Sequence, residues 1–211
     1  MWDVTVTIDS MMPTYLGDPS FKRRVVQAIA DGKPADVSLL TLSAHIGTHV
    51  DAPSHLIPGG KTVDALDLTV MVGPARVVEF DEPSAITAEF LEGIDSLAAD
   101  ERILFKTGNS SLWEERRFAE EYVGLSVDAA NWIIGKGIRL VGIDYLSIDA
   151  PGDTDLPVHR ALLVNDIVVV ESLNLSQVPA GHYQLVCLPM KVGGSEGAPA
   201  RVILLPYATN P

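Results

Sequence analysis

Between His45 and His55 the chain carries three histidines and an aspartate, at positions 45, 49, 51 and 55. No other feature constrains the backbone as tightly. A helix placing His45 and His49 on one face would have to run through Gly47, the β-branched Thr48 and then Pro53, all of which disfavour it. A straight strand would turn His45, His49, Asp51 and His55 to one side, but at about 3.3 Å per residue it would spread them over roughly 33 Å. Ligand atoms lie about 2.0–2.2 Å from a bound transition metal, so a shared site requires the backbone to bend. Gly47 and Pro53 are where it can.

Imidazole and carboxylate donors without thiolate suit Zn(II) first and Mn(II) second, and argue against an iron–sulfur cluster or a Cys-rich finger. A histidine met singly is more often a core or surface residue; the clustering is what points to metal. Cys187, the lone cysteine, stands between Val186 and Leu188 and reads as a small buried hydrophobe. That fits a reducing compartment. The start Met1-Trp2-Asp3-Val4-Thr5 lacks the basic and apolar pattern of a secretory signal, and no apolar run approaches bilayer-spanning length. The expectation is a soluble, unprocessed, cytoplasmic protein with no membrane partner. A formal net charge of −13 also disfavours nucleic acid, which carries the same sign.

With 211 residues, nearly half of them apolar, the chain can bury one core, and no repeat, low-complexity tract or long linker divides it. One domain over residues 1–211 is expected. Alternation predicts an opening strand from Asp3 to Asp9, and the prolines and glycine of Met12–Pro19 predict an ordered loop. Val37–Ala44 reads as a strand delivering the chain to the histidines. Further strands are predicted at Ala75–Phe80, Arg102–Lys106, Arg139–Ile143, Ile167–Val170, Tyr183–Leu188 and Arg201–Leu205. Thr87 and Ser126 are candidate caps for helices through Leu91 and Ile133, and Pro157–Leu163 predicts a third. The class is α/β with a mixed, strand-rich sheet or open barrel, some strands being linked too briefly to pair other than antiparallel.

The run His45-Ile46-Gly47-Thr48-His49-Val50-Asp51-Ala52-Pro53-Ser54-His55 resembles the signature His-x-Gly-Thr-His-x-Asp-x-Pro-x-His of the cyclase-like metal hydrolases, a family that includes bacterial kynurenine formamidases and isatin hydrolases. Every fixed position matches. His159 and Glu171 repeat the family's later histidine and glutamate at the same spacing. The segments Leu104–Asn109, Gly142–Asp149 and Gly197–Arg201 look like other recurring family stretches, so the resemblance covers essentially the whole chain. It implies a swivelling β/β/α domain and one or two divalent ions per subunit. His45, His49 and Asp51 would ligate the first; Asp51 and Glu171 would bridge to a second held with His159. His55 would be the acid/base. It also implies a homodimer or higher homo-oligomer in which a neighbour can contribute to the site.

The chemistry agrees with that division of labour. A metal lowers the pKa of water to about 7, while an unligated imidazole titrates near neutrality and can move protons. The reading is hydrolysis of a small amide by metal-activated water, with His55 protonating the departing nitrogen and N-formylkynurenine as the leading substrate. Opening of a cyclic amide such as isatin is the alternative, and a non-catalytic metal-binding module is the alternative of another class. Where the formamidases carry a Trp before Pro-Gly-Asp, this chain has Tyr15-Leu16-Gly17-Asp18. Tyr15 offers a ring for an aromatic substrate, but the change weakens the case for N-formylkynurenine. Val192–Gly197 lacks the Lys-Ser/Thr ending of a phosphate loop and reads as a loop near the site. His182 is assigned no function, Trp113, Trp132 and Phe118 are read as core or interface, and Glu114–Arg117 as a solvated face.

Overall fold

Val72–Phe80 (β5), Arg102–Thr107 (β6), Leu140–Ile143 (β7) and Val168–Glu171 (β8) are rich in aliphatic and aromatic side chains and lie side by side as parallel strands. Parallel neighbours need long crossovers, and these contain the helices α2 (Ala88–Glu92), α3 (Val127–Gly135) and α4 (Pro157–Val164). Thr87 and Ser126 cap α2 and α3, their hydroxyls accepting from the N–H of Phe90 and Ala129. The remaining strands are β1 (Trp2–Asp3), β2 (Lys22–Gln27), β3 (Val37–Thr41), β4 (His49–Asp51), β9 (Gly181–Pro189) and β10 (Gly197–Pro206), with a single-turn helix α1 (Leu68–Met71) ahead of β5. The computed structural model describes residues 1–94, 96–97 and 101–207.

The main sheet runs β1-β10-β4-β8-β7-β6-β5-β9, and β9 pairs back onto β10. With β1 left outside, the other seven strands therefore form a closed, mixed barrel-like ring. The short β9–β10 connection gives the antiparallel pair expected from sequence, and it is this pair that closes what would otherwise be an open barrel.

Closure explains why β7 and β8 are buried along their whole length. On each strand one set of alternate side chains, including Leu104, Leu140, Val170, Leu185, Cys187 and Val202, fills one apolar cluster drawn from all around the ring. The alternate parity, including Ile103, Phe105, Val141, Ile143 and Val169, packs with Leu91, Ile133 and Leu162 of the three helices. Cys187 is a buried free thiol in the first cluster, as its apolar neighbours suggested.

Two strand expectations are corrected. The opening strand stops at Asp3, with one further bridge between Thr5 and Leu173. Beyond it the Val6 N–H donates to the Thr48 hydroxyl rather than to a neighbouring strand, and the chain leaves the sheet edge. The Val37 run pairs only with Lys22–Gln27, a strand not read from sequence, to form a separate hairpin whose residues are almost all exposed. That hairpin ends at Thr41, and the histidine segment is entered through turns.

Candidate metal centre

Strand pairing begins the convergence. β4 lies between β10 and β8, and in the antiparallel register His49 sits directly opposite Glu171. Side chains at such positions are neighbours by construction. Asp51, two residues along, projects from the same face as His49.

His45 is brought back by the turn before β4. Gly47 there has φ +63°, in the left-handed region, and a Cβ on it would lie 2.8 Å from Ile8 Cγ1. The reversal lets the Gly47 carbonyl accept from His49 Nδ1 at 2.8 Å. The other nitrogen, His49 Nε2, then faces Asp51 Oδ1 and Glu171 Oε2, each at 3.4 Å. His45 Nδ1 is 2.8 Å from Asp51 Oδ1.

His159 arrives from the first turn of α4. Leu156 precedes it in a left-handed conformation (φ 50°), and Pro157 starts the helix. Asp149 supplies the cap that Leu156 cannot, accepting from the N–H of Val158 at 2.7 Å and of His159 at 3.2 Å. The same carboxylate bonds His159 Nδ1. His159 Nε2 is thereby aimed at Glu171 Oε1, 3.0 Å away, and Asp51 Oδ2, 3.3 Å away. Glu171 Oε1 also accepts from the Ile148 N–H at 2.7 Å.

Two overlapping groups of donors result: His45, His49 and Asp51, and Asp51, His159 and Glu171, each with ligand atoms within 4.8 Å of one another. The donors fit divalent metal on a structural observation: His49 Nε2, Asp51 Oδ2 and His45 Nε2 are buried without a hydrogen-bond partner among the described residues. Buried polar atoms left so are costly unless a cation satisfies them. The electrostatics agree. Burial pushes the His49 imidazole down, but Asp51 and Glu171 more than reverse this, to about 10. Burial raises and the neighbouring imidazoles more strongly lower Asp51, which is held well below the carboxylate range. The cluster draws positive charge.

His55 stands apart from both donor groups, on a 3-10 turn begun by Pro53. Its ring centroid is 4.2 Å from that of His45 and 6.1 Å from that of His159. Burial and the two neighbouring imidazoles lower its pKa against the pull of Asp51 and Glu171, so at neutral pH it is an uncharged base. A cavity of about 300 Å³ opens over these groups, with Tyr15, Leu16, Leu146, Ser147 and Leu156 on its walls. Tyr15 is held edge-to-face against Phe118, ring centroids 5.7 Å apart.

Residues 2–150 match the Cyclase family model, described as "Putative cyclase". The chain belongs to the cyclase family. Among cyclase-family relatives it is 39% identical over 191 residues to Cyclase-like protein 2 of Oryza sativa subsp. japonica, covering 86% of this chain and 70% of that protein. It is 34% identical over 204 residues to a kynurenine formamidase of Bacillus cereus, covering 97% and 96%. A solved structure described as a "Potential Metal-Dependent Hydrolase With Cyclase Activity" superposes with a TM-score of 0.83 at 35% identity, over 96% of each chain. Isatin hydrolase A from Labrenzia aggregata superposes with a TM-score of 0.82 at 25% identity, over 95% and 91%.

In this cyclase-family chain the fold brings together all seven residues singled out from sequence: His45, His49, Asp51, His55, His159, Glu171 and Tyr15. Asp149 was not singled out, because its role depends on where α4 begins. Asp18, Leu146, Ser147 and Leu156 escaped as well, though Asp18 and the Leu146–Ser147 pair fall in segments already noted. The Val192–Gly197 loop does approach the site, with Glu196 Oε1 3.6 Å from His45 Nε2. Phe118 and Trp113 belong to the aromatic cluster behind Tyr15. Arg117 pairs with Glu115, two residues away, on an exposed face.

Proposed function

We propose that the chain is a metal-dependent amidohydrolase acting on small carbon–nitrogen amides, and specifically an arylformamidase cleaving N-formylkynurenine. The observation that carries this is the pair of donor groups sharing Asp51, with the unligated His55 beside them. A relative named kynurenine formamidase, matched over nearly its whole length, supports the substrate.

His45, His49 and Asp51 would hold one divalent ion, and Asp51, His159 and Glu171 a second, with Zn(II) first and Mn(II) second on the all-N/O donor set. Such an ion, when bound, lowers the pKa of water to about 7 and polarises a carbonyl oxygen. His55, uncharged and half-buried, takes the proton from the attacking water and returns it to the departing nitrogen. Water adds to the formyl carbon, the C–N bond breaks, and formate and the free amine leave. Tyr15 packs the aryl ring, and the three leucines exclude water from it.

The test is metal-replete protein incubated with N-formylkynurenine, with a chelator-treated sample alongside. Rapid, chelator-sensitive release of kynurenine is expected; absence of release with metal bound overturns the substrate assignment. The second reading, opening of a cyclic amide such as isatin, is favoured by Tyr15 at the position of the formamidase Trp and by the likeness to isatin hydrolase A. Isatin belongs in the same assay. Bound metal with no turnover of any amide would leave only a non-catalytic metal-binding module.

We further place residues 1–211 in one hydrolase domain working as a homodimer in the cytoplasm. The β2–β3 hairpin supports the dimer: Val25, Val26, Val37, Leu39 and Leu40 are exposed on it, and Lys22, Arg23 and Arg24 set a basic patch on an acidic chain. Among the described residues no helix is long and apolar enough to cross a membrane.

A further inference from the structure

The cavity over the metal centre is asymmetric in charge. At its reacting end stand His45, His49, His55, His159 and Glu171; its walls are Tyr15, Leu16, Leu146, Ser147 and Leu156. Among the described residues neither Lys nor Arg lines it, and the one charged side chain outside the reacting end is Asp18. The Asp18 N–H donates to the Tyr15 carbonyl at 3.1 Å, a turn that holds the two residues on the same loop of the cavity wall. Among the described residues that carboxylate accepts no hydrogen bond and makes no ion pair, while Asp18 is partly exposed and lines the cavity.

An unpartnered carboxylate at the mouth of an apolar pocket is tolerable while water reaches it. A ligand filling the cavity removes that water, and only a ligand with its own donor makes good the loss. An ammonium does this best, since the hydrogen bond is then charge-assisted. A ligand carboxylate at the same place meets a like charge with no cation to neutralise it. We propose that Asp18 is a specificity-determining residue that receives a cationic group of the substrate, so that the site prefers small aryl amides carrying an ammonium group over neutral or anionic ones. This rests on the amide-hydrolase reading of the same site.

Binding, rather than turnover, separates the two. Metal-replete wild type and Asp18→Asn are titrated calorimetrically with kynuramine, an aryl ketone bearing an ammonium, and with the neutral 2′-aminoacetophenone. The wild type is expected to bind kynuramine about fivefold more tightly than the neutral ketone, the upper range for a half-exposed ion pair. Asp18→Asn should abolish that margin and leave the neutral ligand within about twofold of wild type. An equal ratio in both proteins, an equal weakening of both ligands by the substitution, or no binding of kynuramine to the wild type overturns the proposal. Failure to cleave N-formylkynurenine would strike the substrate reading alone, because these ligands need no hydrolysis.

Discussion

His49 and His159 present their inward nitrogens by the same device, an outward Nδ1 anchored to an oxygen fixed by the fold: the Gly47 carbonyl for one, the Asp149 carboxylate for the other. Anchoring fixes tautomer and ring orientation before any cation arrives, which is what second-neighbour partners of metal-binding histidines do generally. Asp149→Asn should therefore weaken divalent-metal affinity by about 10- to 100-fold while the protein stays folded, because the amide oxygen can still cap the helix by accepting from the Val158 N–H. Calorimetric metal titration of apo protein checks this, and an unchanged affinity would remove Asp149 from the site. His55→Ala should behave oppositely, binding metal as wild type but losing about 10²- to 10⁴-fold in turnover. Wild-type rates in that variant would sink its role as the proton carrier. The cluster of candidate ligands was legible because its residue types and spacing are improbable by chance; Asp149 was not, because an aspartate ten residues before a histidine signals nothing until a helix start brings them together.

Strand β10 reaches the site without contributing a ligand. A Cβ on Gly197 would lie 2.9 Å from His45 Cε1 and 3.0 Å from the Val50 carbonyl, so this strand packs flush against the His45 ring only through glycine. Gly197→Ala should push the ring aside, lowering affinity at the His45 position and costing about 1–3 kcal/mol of stability by overpacking. Metal titration and thermal melts of apo protein measure the two separately. The ends of β6 and β7 are tied by Asp144, whose carboxylate accepts from the N–H and hydroxyl groups of Thr107 and Ser110. Burial nevertheless pushes its carboxyl up to about 6. The folded protein then holds this proton more tightly than the unfolded chain, whose aspartates titrate near 3.9. Its contribution to stability is present below about pH 4 and is lost as pH rises to about 6, an effect of order 3 kcal/mol. Melting temperatures across that range should show this downward term in wild type and not in Asp144→Asn; identical pH slopes would exclude it. At this scale the sequence was read well where apolar runs are continuous, as in β5 to β10, and poorly at Lys22–Gln27, whose charged residues carry no buried face.

The whole molecule is a closed ring carrying one separate two-stranded hairpin whose residues are almost all exposed. A two-stranded hairpin is marginal alone in water, and exposed valines and leucines beside Lys22, Arg23 and Arg24 suit the acidic surface of a second copy. Replacing Val26 and Leu40 together by Ser should convert a dimer to a monomer in light scattering; a wild type that is already monomeric would refute the hairpin as an interface. The sequence by itself determined the donor types, the bend at Gly47, the helix caps at Thr87 and Ser126, and the α/β class, because each depends on contacts a few residues apart. Tertiary structure alone decided that β9 closes the ring onto β10, that His49 faces Glu171, and that Asp149 holds His159. Those are pairings between distant segments, selected by which faces can be buried together, and no local pattern encodes the choice.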